Sequence, residues 1–226
     1  MSWILDITVI LILVAGAMVF LSWDKIKEAD SAKQKWEVLL RAERKKKIYC
    51  LIMLCAGILL MVFMQVLYKE DSVSVMEQIK TLTLIMILFV CTWTDMGKYI
   101  IPNIIILIGA GLRLLYYIPE LILYRADFFT IFKDNVIGIV VIAVFLLIGL
   151  LIVRSGLGMG DVKLLLVMAF YQGLTGIISS LFFSLLIAFA GSIYLLAARK
   201  KKRRDTIPFA PFILAGTYVS FILTGF

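Results

Sequence analysis

Asn135-Val-Ile-Gly-Ile-Val-Val-Ile-Ala-Val-Phe-Leu-Leu-Ile-Gly-Leu-Leu-Ile-Val153 contains no charged side chain and no proline. Its length matches the roughly 20 apolar residues that a helix needs to cross a bilayer. Hydrocarbon offers no partner to a backbone N–H or C=O, so a spanning segment must satisfy them internally, as a helix does. Working outward, similar apolar blocks separated by short polar stretches predict spans at about 3–22, 48–68, 79–95, 102–118, 161–173, 175–198 and 207–225. The fold class expected is all-α, a polytopic transmembrane helix bundle of about eight spans. Composition agrees: 63% of the 226 residues are hydrophobic and 17% charged, far from the roughly 45–50% apolar usage of soluble domains. The chain divides into an N-terminal two-span segment, 1–78, with a basic loop at 23–47, and a six-span core, 79–226.

The 23 Lys and Arg against 15 Asp and Glu give a net charge of +8. In a membrane protein their placement reports orientation. One side collects the cations from Lys25 to Lys47, Lys98, Arg154, Lys163 and the run Arg199–Arg204; the other holds only Lys69, Lys80, Arg113, Arg125 and Lys133. The richer side is read as cytoplasmic, which places both termini outside and the protein in the cytoplasmic membrane as a multi-pass chain. The Arg199–Arg204 run lies between two spans, so it is read as an anchor on anionic lipid headgroups, and no nucleic-acid partner is expected. Nothing basic precedes the first span, so it is expected to persist rather than serve as a cleaved signal. With no histidine, and with Cys50, Cys55 and Cys91 in apolar blocks without a CxxC pair, no disulfide framework and no metal or other cofactor is expected.

Local punctuation fits this map. Pro102 and Pro208 fall where helices start, and Pro119 is expected to close the fourth span. Gly176, Ser180, Ser184, Ala188 and Ser192 recur every fourth residue and predict a close helix–helix contact. The 23–47 stretch has roughly helical apolar spacing and suits an amphipathic helix lying on the membrane surface.

Ionisable groups at membrane depth are costly and mark function by default. Asp6 and Arg113 lie near the outer ends of their spans, where they can reach the headgroups. Asp95 and Asp161 lie further in, about 21 Å and 18 Å from the far ends of their spans at ~1.5 Å per residue. Three glycines at alternate positions, Gly156, Gly158 and Gly160, precede Asp161. They predict a mobile backbone beside a wet cleft. Taken singly, Asp161 reads equally as a helix N-cap, and Asp95 as a turn residue capping the next helix. Taken together, two close carboxylates can share a proton, one activating water while the other polarises a scissile carbonyl.

In order along the chain stand Thr94-Asp95 followed by Ile101-Pro102-Asn103, then Gly158-Met-Gly160-Asp161-Val-Lys163, then Ile207-Pro208-Phe209-Ala-Pro211-Phe212. This set, within about residues 80–226, resembles the type IV prepilin peptidases, intramembrane aspartyl proteases of the GxGD class. The resemblance implies an endopeptidase that removes a short basic leader from prepilins or pseudopilins after a glycine, at the cytoplasmic face. Asp95 and Asp161 match the catalytic aspartates. Gly158 and Gly160 match the motif glycines, and Lys163, Pro102, Asn103 and Pro208 match supporting positions. Lys163 reads either as an electrostatic partner of an aspartate or as a headgroup contact. Larger relatives carry a cytoplasmic insertion with paired CxxC motifs and are associated with N-methylation. The 23–47 loop has no cysteine, so the chain resembles the shorter, peptidase-only forms. Two other classes compete with the peptidase. One is a proton-coupled transporter using the two acids as a relay, disfavoured by the absence of visible repeats. The other is an inactive scaffold of a pilus or secretion system.

Overall fold

A computed structural model describes residues 2–22, 44–67, 74–152, 158–198 and 206–224. The described residues form seven α-helices and no strand: α1 (Ser2–Leu21), α2 (Arg44–Leu67), α3 (Val75–Lys98), α4 (Asn103–Leu123), α5 (Phe128–Ile152), α6 (Met159–Ala197) and α7 (Ala210–Thr224). Four of them, α3 to α6, are long and apolar enough to cross a membrane, and α1 and α7 add shorter apolar segments. The chain is thus a helical membrane protein. Of the proposed surface segment 23–47, residues 44–47 begin α2, and the rest, with the glycine at 156 and the basic run at 199–204, lies outside the described residues.

The helices fall in two compact units, 1–86 and 87–226, each taken by itself, with the division inside α3. In the first unit α1 and α2 pack together, and the Lys46 ammonium donates to the Leu21 carbonyl at 2.7 Å, placing a cation where the last carbonyls of α1 lack helical partners. Gly57 of α2 lets the methyl end of Met86 lie where a β-carbon would stand. Of the cysteines expected to be buried, Cys50 and Cys91 are, whereas Cys55 is exposed on α2.

Helix α3 starts several residues before the expected Ile79. A reciprocal cap explains this: the Ser74 hydroxyl accepts from the Glu77 N–H at 3.2 Å, and the Ser74 N–H donates to the Glu77 carboxylate at 3.4 Å. Every residue from Leu82 to Thr92 is buried, the all-round burial of a helix enclosed by others. Helices α4 and α5 instead expose Leu107, Leu115, Val144 and Leu147, outward faces as apolar as the core, which suits a hydrocarbon solvent.

Three expectations are corrected here. Pro119 lies inside α4, which continues to Leu123 with the Tyr124 N–H bonded to the Glu120 carbonyl at 2.9 Å. Arg113 does not reach outward. It is fully buried and ion-paired at 2.9 Å with Glu120. Seven residues are two helical turns, so the pair shares one face only if the helix runs on past the proline. Finally, α5 begins at Phe128 rather than near Asn135. The charges at Lys133 and Asp134 read as a loop by hydropathy, yet Asp134 accepts the Leu174 N–H from within the helix.

Helix α6 would be about 58 Å long if straight, roughly twice the ~30 Å hydrocarbon thickness. It breaks at Gly173, whose φ of 68° and ψ of −167° are not helical, giving limbs 159–172 and 174–197, close to the two spans expected there. Gly138 of α5 meets this break backbone to backbone, its would-be β-carbon 2.8 Å from the Gly173 carbonyl carbon. The second limb carries the small-residue face. There α7 packs Gly216 directly on Ser184, and Gly191 accommodates the Phe212 ring, so the stripe does serve close packing.

Candidate active site

Every residue singled out from the motifs, other than the one at 156, is described, and all belong to the unit 87–226. Asp95 occupies the last turn of α3 and is only 6% exposed. Its Oδ2 accepts the N–H of Ala210, the first residue of α7, at 2.9 Å. A helix leaves its first N–H groups without internal partners, and the positive end of its dipole favours an anionic acceptor there. Asp95 therefore does cap a helix, but one 115 residues away in sequence rather than the neighbouring α4. Pro208 stands two residues before Ala210 and fixes the backbone that turns into α7; the Phe209 carbonyl accepts from Phe212 and Ile213 at 3.0 and 3.1 Å.

Asp161 lies in the first turn of α6, three residues beyond the N-cap, which is Gly158. It is not itself the cap, although an acid in a first turn suits the helix dipole. Asp161 and Asp95 are near enough for their charges to interact. Cys91, fully buried one turn before Asp95, lies within electrostatic reach of both. The two carboxylates thus lie within electrostatic reach of each other, one from the end of a helix and one from the start of another.

Gly158 and Gly160 both stand where a β-carbon would crowd a neighbour. Gly158 has φ −68° and ψ 129°, a conformation open to any residue. What it lacks is a β-carbon, which would stand 2.8 Å from the Asp161 Oδ2. A β-carbon on Gly160 would lie 3.1 Å from that of Ile101. Ile101 reaches this place because α3 ends in a left-handed turn at Tyr99, φ 54°, whose N–H bonds the Asp95 carbonyl at 2.9 Å.

Pro102 is the N-cap of α4 with φ −66°. Asn103, the next residue, accepts a 2.9 Å hydrogen bond on its Oδ1 from the Lys163 ammonium. Two motif residues far apart in sequence therefore tie the starts of α4 and α6 together. Of the partners in this site, Cys91 carried no motif signal, and Ile101 and Ala210 fell within the motif stretches without being singled out. The part Ala210 plays, as the first N–H of a helix that meets an acid, appears only in the structure.

A family model described as the type IV leader peptidase family matches residues 82–196, just over half of the chain. The chain belongs to the type IV leader peptidase family. The matched segment contains Asp95, Pro102, Asn103, Gly158, Gly160, Asp161 and Lys163, while Pro208 and Ala210 lie beyond it. Among curated proteins, the prepilin leader peptidase/N-methyltransferase of Bacillus subtilis (strain 168) is 30% identical over 149 residues, which cover 65% of this chain and 56% of that protein. The chain thus spans little more than half the length of this leader peptidase relative. No solved structure gives a significant match.

Proposed function

We propose that the protein is an intramembrane aspartyl endopeptidase that removes the basic leader from type IV prepilins or pseudopilins, cutting after glycine at the cytoplasmic face of the plasma membrane. What supports this reading is that Asp95 and Asp161 lie within electrostatic reach of each other, with Asp95 on the first N–H of α7, within a chain of the leader peptidase family. In the proposed step one carboxylate, ionised, takes a proton from water as it attacks the scissile carbonyl. The other, protonated, donates to that carbonyl oxygen. The tetrahedral intermediate then collapses with proton transfer to the leaving amine. Gly158 leaves the Asp161 oxygen free to face the substrate, and Gly160 and Ile101 seat the start of α6.

In this reading residues 79–226 are the catalytic core and 1–78 an N-terminal two-span segment, with about eight spans, both termini outside and the basic loops on the cytoplasmic side. Gly158, Gly160, Lys163, Pro102, Asn103 and Pro208 support the pair. Partners are the prepilin substrate and anionic lipid, and no cofactor takes part. The test is to incubate membranes containing the protein with a prepilin and look for the shortened product. Cleavage is expected, with a bell-shaped pH dependence because one acid must be ionised and the other protonated. Absence of any shortened product, in membranes where the protein is present and folded, overturns the proposal.

A further inference from the structure

In an unbroken α-helix the N–H of each residue bonds the carbonyl four residues earlier. In α6 the Leu174 N–H would therefore go to the Phe170 carbonyl, but the backbone of Gly173 separates them. Each freed group is taken by a side chain from a different helix. The Leu174 N–H donates to Asp134 Oδ2 of α5 at 3.2 Å, and the Phe170 carbonyl accepts from Arg113 Nε of α4 at 2.9 Å. Position 173 admits no side chain. Its φ is left-handed and the Asp134 carboxylate occupies the place of a β-carbon.

The two substitutes belong to one network. The Arg113 guanidinium donates through Nη1 to Glu120 at 2.9 Å and lies 4.2 Å over the Tyr117 ring. The Tyr117 hydroxyl accepts from Asn135, the neighbour of Asp134, at 3.0 Å. One turn away, the Tyr171 hydroxyl donates to the Gly109 carbonyl at 2.9 Å. The limb 159–172 is therefore held at its broken end by the bonds of Phe170 and Tyr171 to α4, while α5 takes the first N–H of the limb beyond the break; at its tip the Lys163–Asn103 bond is exposed. A buried ion pair is poor at adding stability compared with apolar residues of the same volume, but its geometry is demanding.

We infer that Arg113 and Asp134 are positioning residues, which by holding the break at Gly173 set the direction of the limb that carries Asp161 and so its placement against Asp95. The inference rests on the reading of these two acids as the reacting pair. Asp161 stands about 18 Å from the break at ~1.5 Å per residue. A tilt of about 10° there moves it by about 3 Å, and misplacement of about 1 Å at a reacting centre can cost about 10²-fold in rate.

The test uses the full chain in lipid nanodiscs with a prepilin substrate. Arg113→Met combined with Glu120→Leu removes the Nε donor without leaving a buried charge unpaired. Asp134→Ala removes the acceptor, and Asp134→Asn restores one. The Arg113/Glu120 double variant and Asp134→Ala should each lower kcat at least tenfold with KM within about twofold. The limbs of the pH–rate profile should shift as the two acids part, because their titration depends on their separation. Asp134→Asn should recover most of the rate. A second readout needs no catalysis: nitroxides at the exposed Met96 and Met159, in a chain with its three cysteines replaced, should show altered dipolar broadening in the two impaired variants. Lower total activity with unmoved pH limbs and an unaltered nitroxide spectrum would mean the network only stabilises the fold, and the inference would be overturned. If the parent chain cleaves no prepilin, the peptidase reading fails separately and the nitroxide spectra still decide whether the network positions the limb.

Discussion

At the scale of single residues, Asp95 caps α7 and in the proposed mechanism also exchanges a proton, and substitution can separate the two. Asn keeps an acceptor for the Ala210 N–H but cannot exchange a proton as a carboxyl does, whereas Ala leaves that buried N–H unpaired. Asp95→Asn should therefore abolish cleavage at near-normal thermal stability, while Asp95→Ala should in addition lose about 1–3 kcal/mol. Asp161→Asn should also be inactive, since one carboxylate cannot be acid and base in the same step. Near-normal turnover by either Asn variant would remove the two-acid mechanism. The glycines yield a second separation. In Gly158→Ala the new methyl meets the Asp161 Oδ2, the free end of a side chain that can turn aside. The fold should survive and turnover should fall by an order of magnitude or more, measured against membrane-inserted protein. Gly160→Ala presses on Ile101 and should cost stability first, read as a lower unfolding temperature.

At the scale of helices, the site depends on how three ends are joined. The Lys163–Asn103 bond links the starts of α6 and α4, and being exposed it should contribute about 1 kcal/mol or less. If linking the helices is the whole role of Lys163, then Lys163→Met and Asn103→Ala should each reduce turnover only a few-fold. Their combination should be no worse than either, a coupling that a double-mutant cycle measures. A much larger loss for Lys163→Met alone would instead assign its charge to the acid pair. The same scale explains why Pro119 misled: proline usually ends a helix, but here burial of Arg113 against Glu120 requires the next turn.

For the whole molecule, orientation and chemistry give two further tests. Single cysteines introduced at 125–127, an exposed turn between α4 and α5, should react with an impermeant reagent on intact cells. Cysteines at 97–100 should react only after the membrane is opened. The opposite pattern would place the acids on the outer face. The 23–47 loop offers no paired cysteines for a structural metal and no glycine-rich turn for a methyl donor. A prepilin processed by this protein with S-adenosylmethionine present should therefore lose its leader and gain no methyl group by mass spectrometry. Stoichiometric methylation absent from a protein-free control would show that a donor site forms elsewhere in the chain.

The sequence by itself determined the helical membrane class, because a bilayer leaves a chain so apolar few ways to satisfy its backbone, and it singled out Asp95 and Asp161, because charge at membrane depth is costly and their motifs are ordered. It also marked Pro102 as a helix start and the 176–192 stripe as a packing face, both set by local stereochemistry or simple periodicity. Only the tertiary structure decided that Asp95 takes the first N–H of α7, that Lys163 reaches Asn103, and that Gly158 is small for the sake of a carboxylate rather than for a strained backbone. These are pairings between residues distant in sequence, and no local pattern encodes them. The Gly173 break shows the division most clearly. A span boundary was legible from length and glycine, but the orphaned carbonyl and amide it creates could be matched to Arg113 and Asp134 only once α4 and α5 had packed around them.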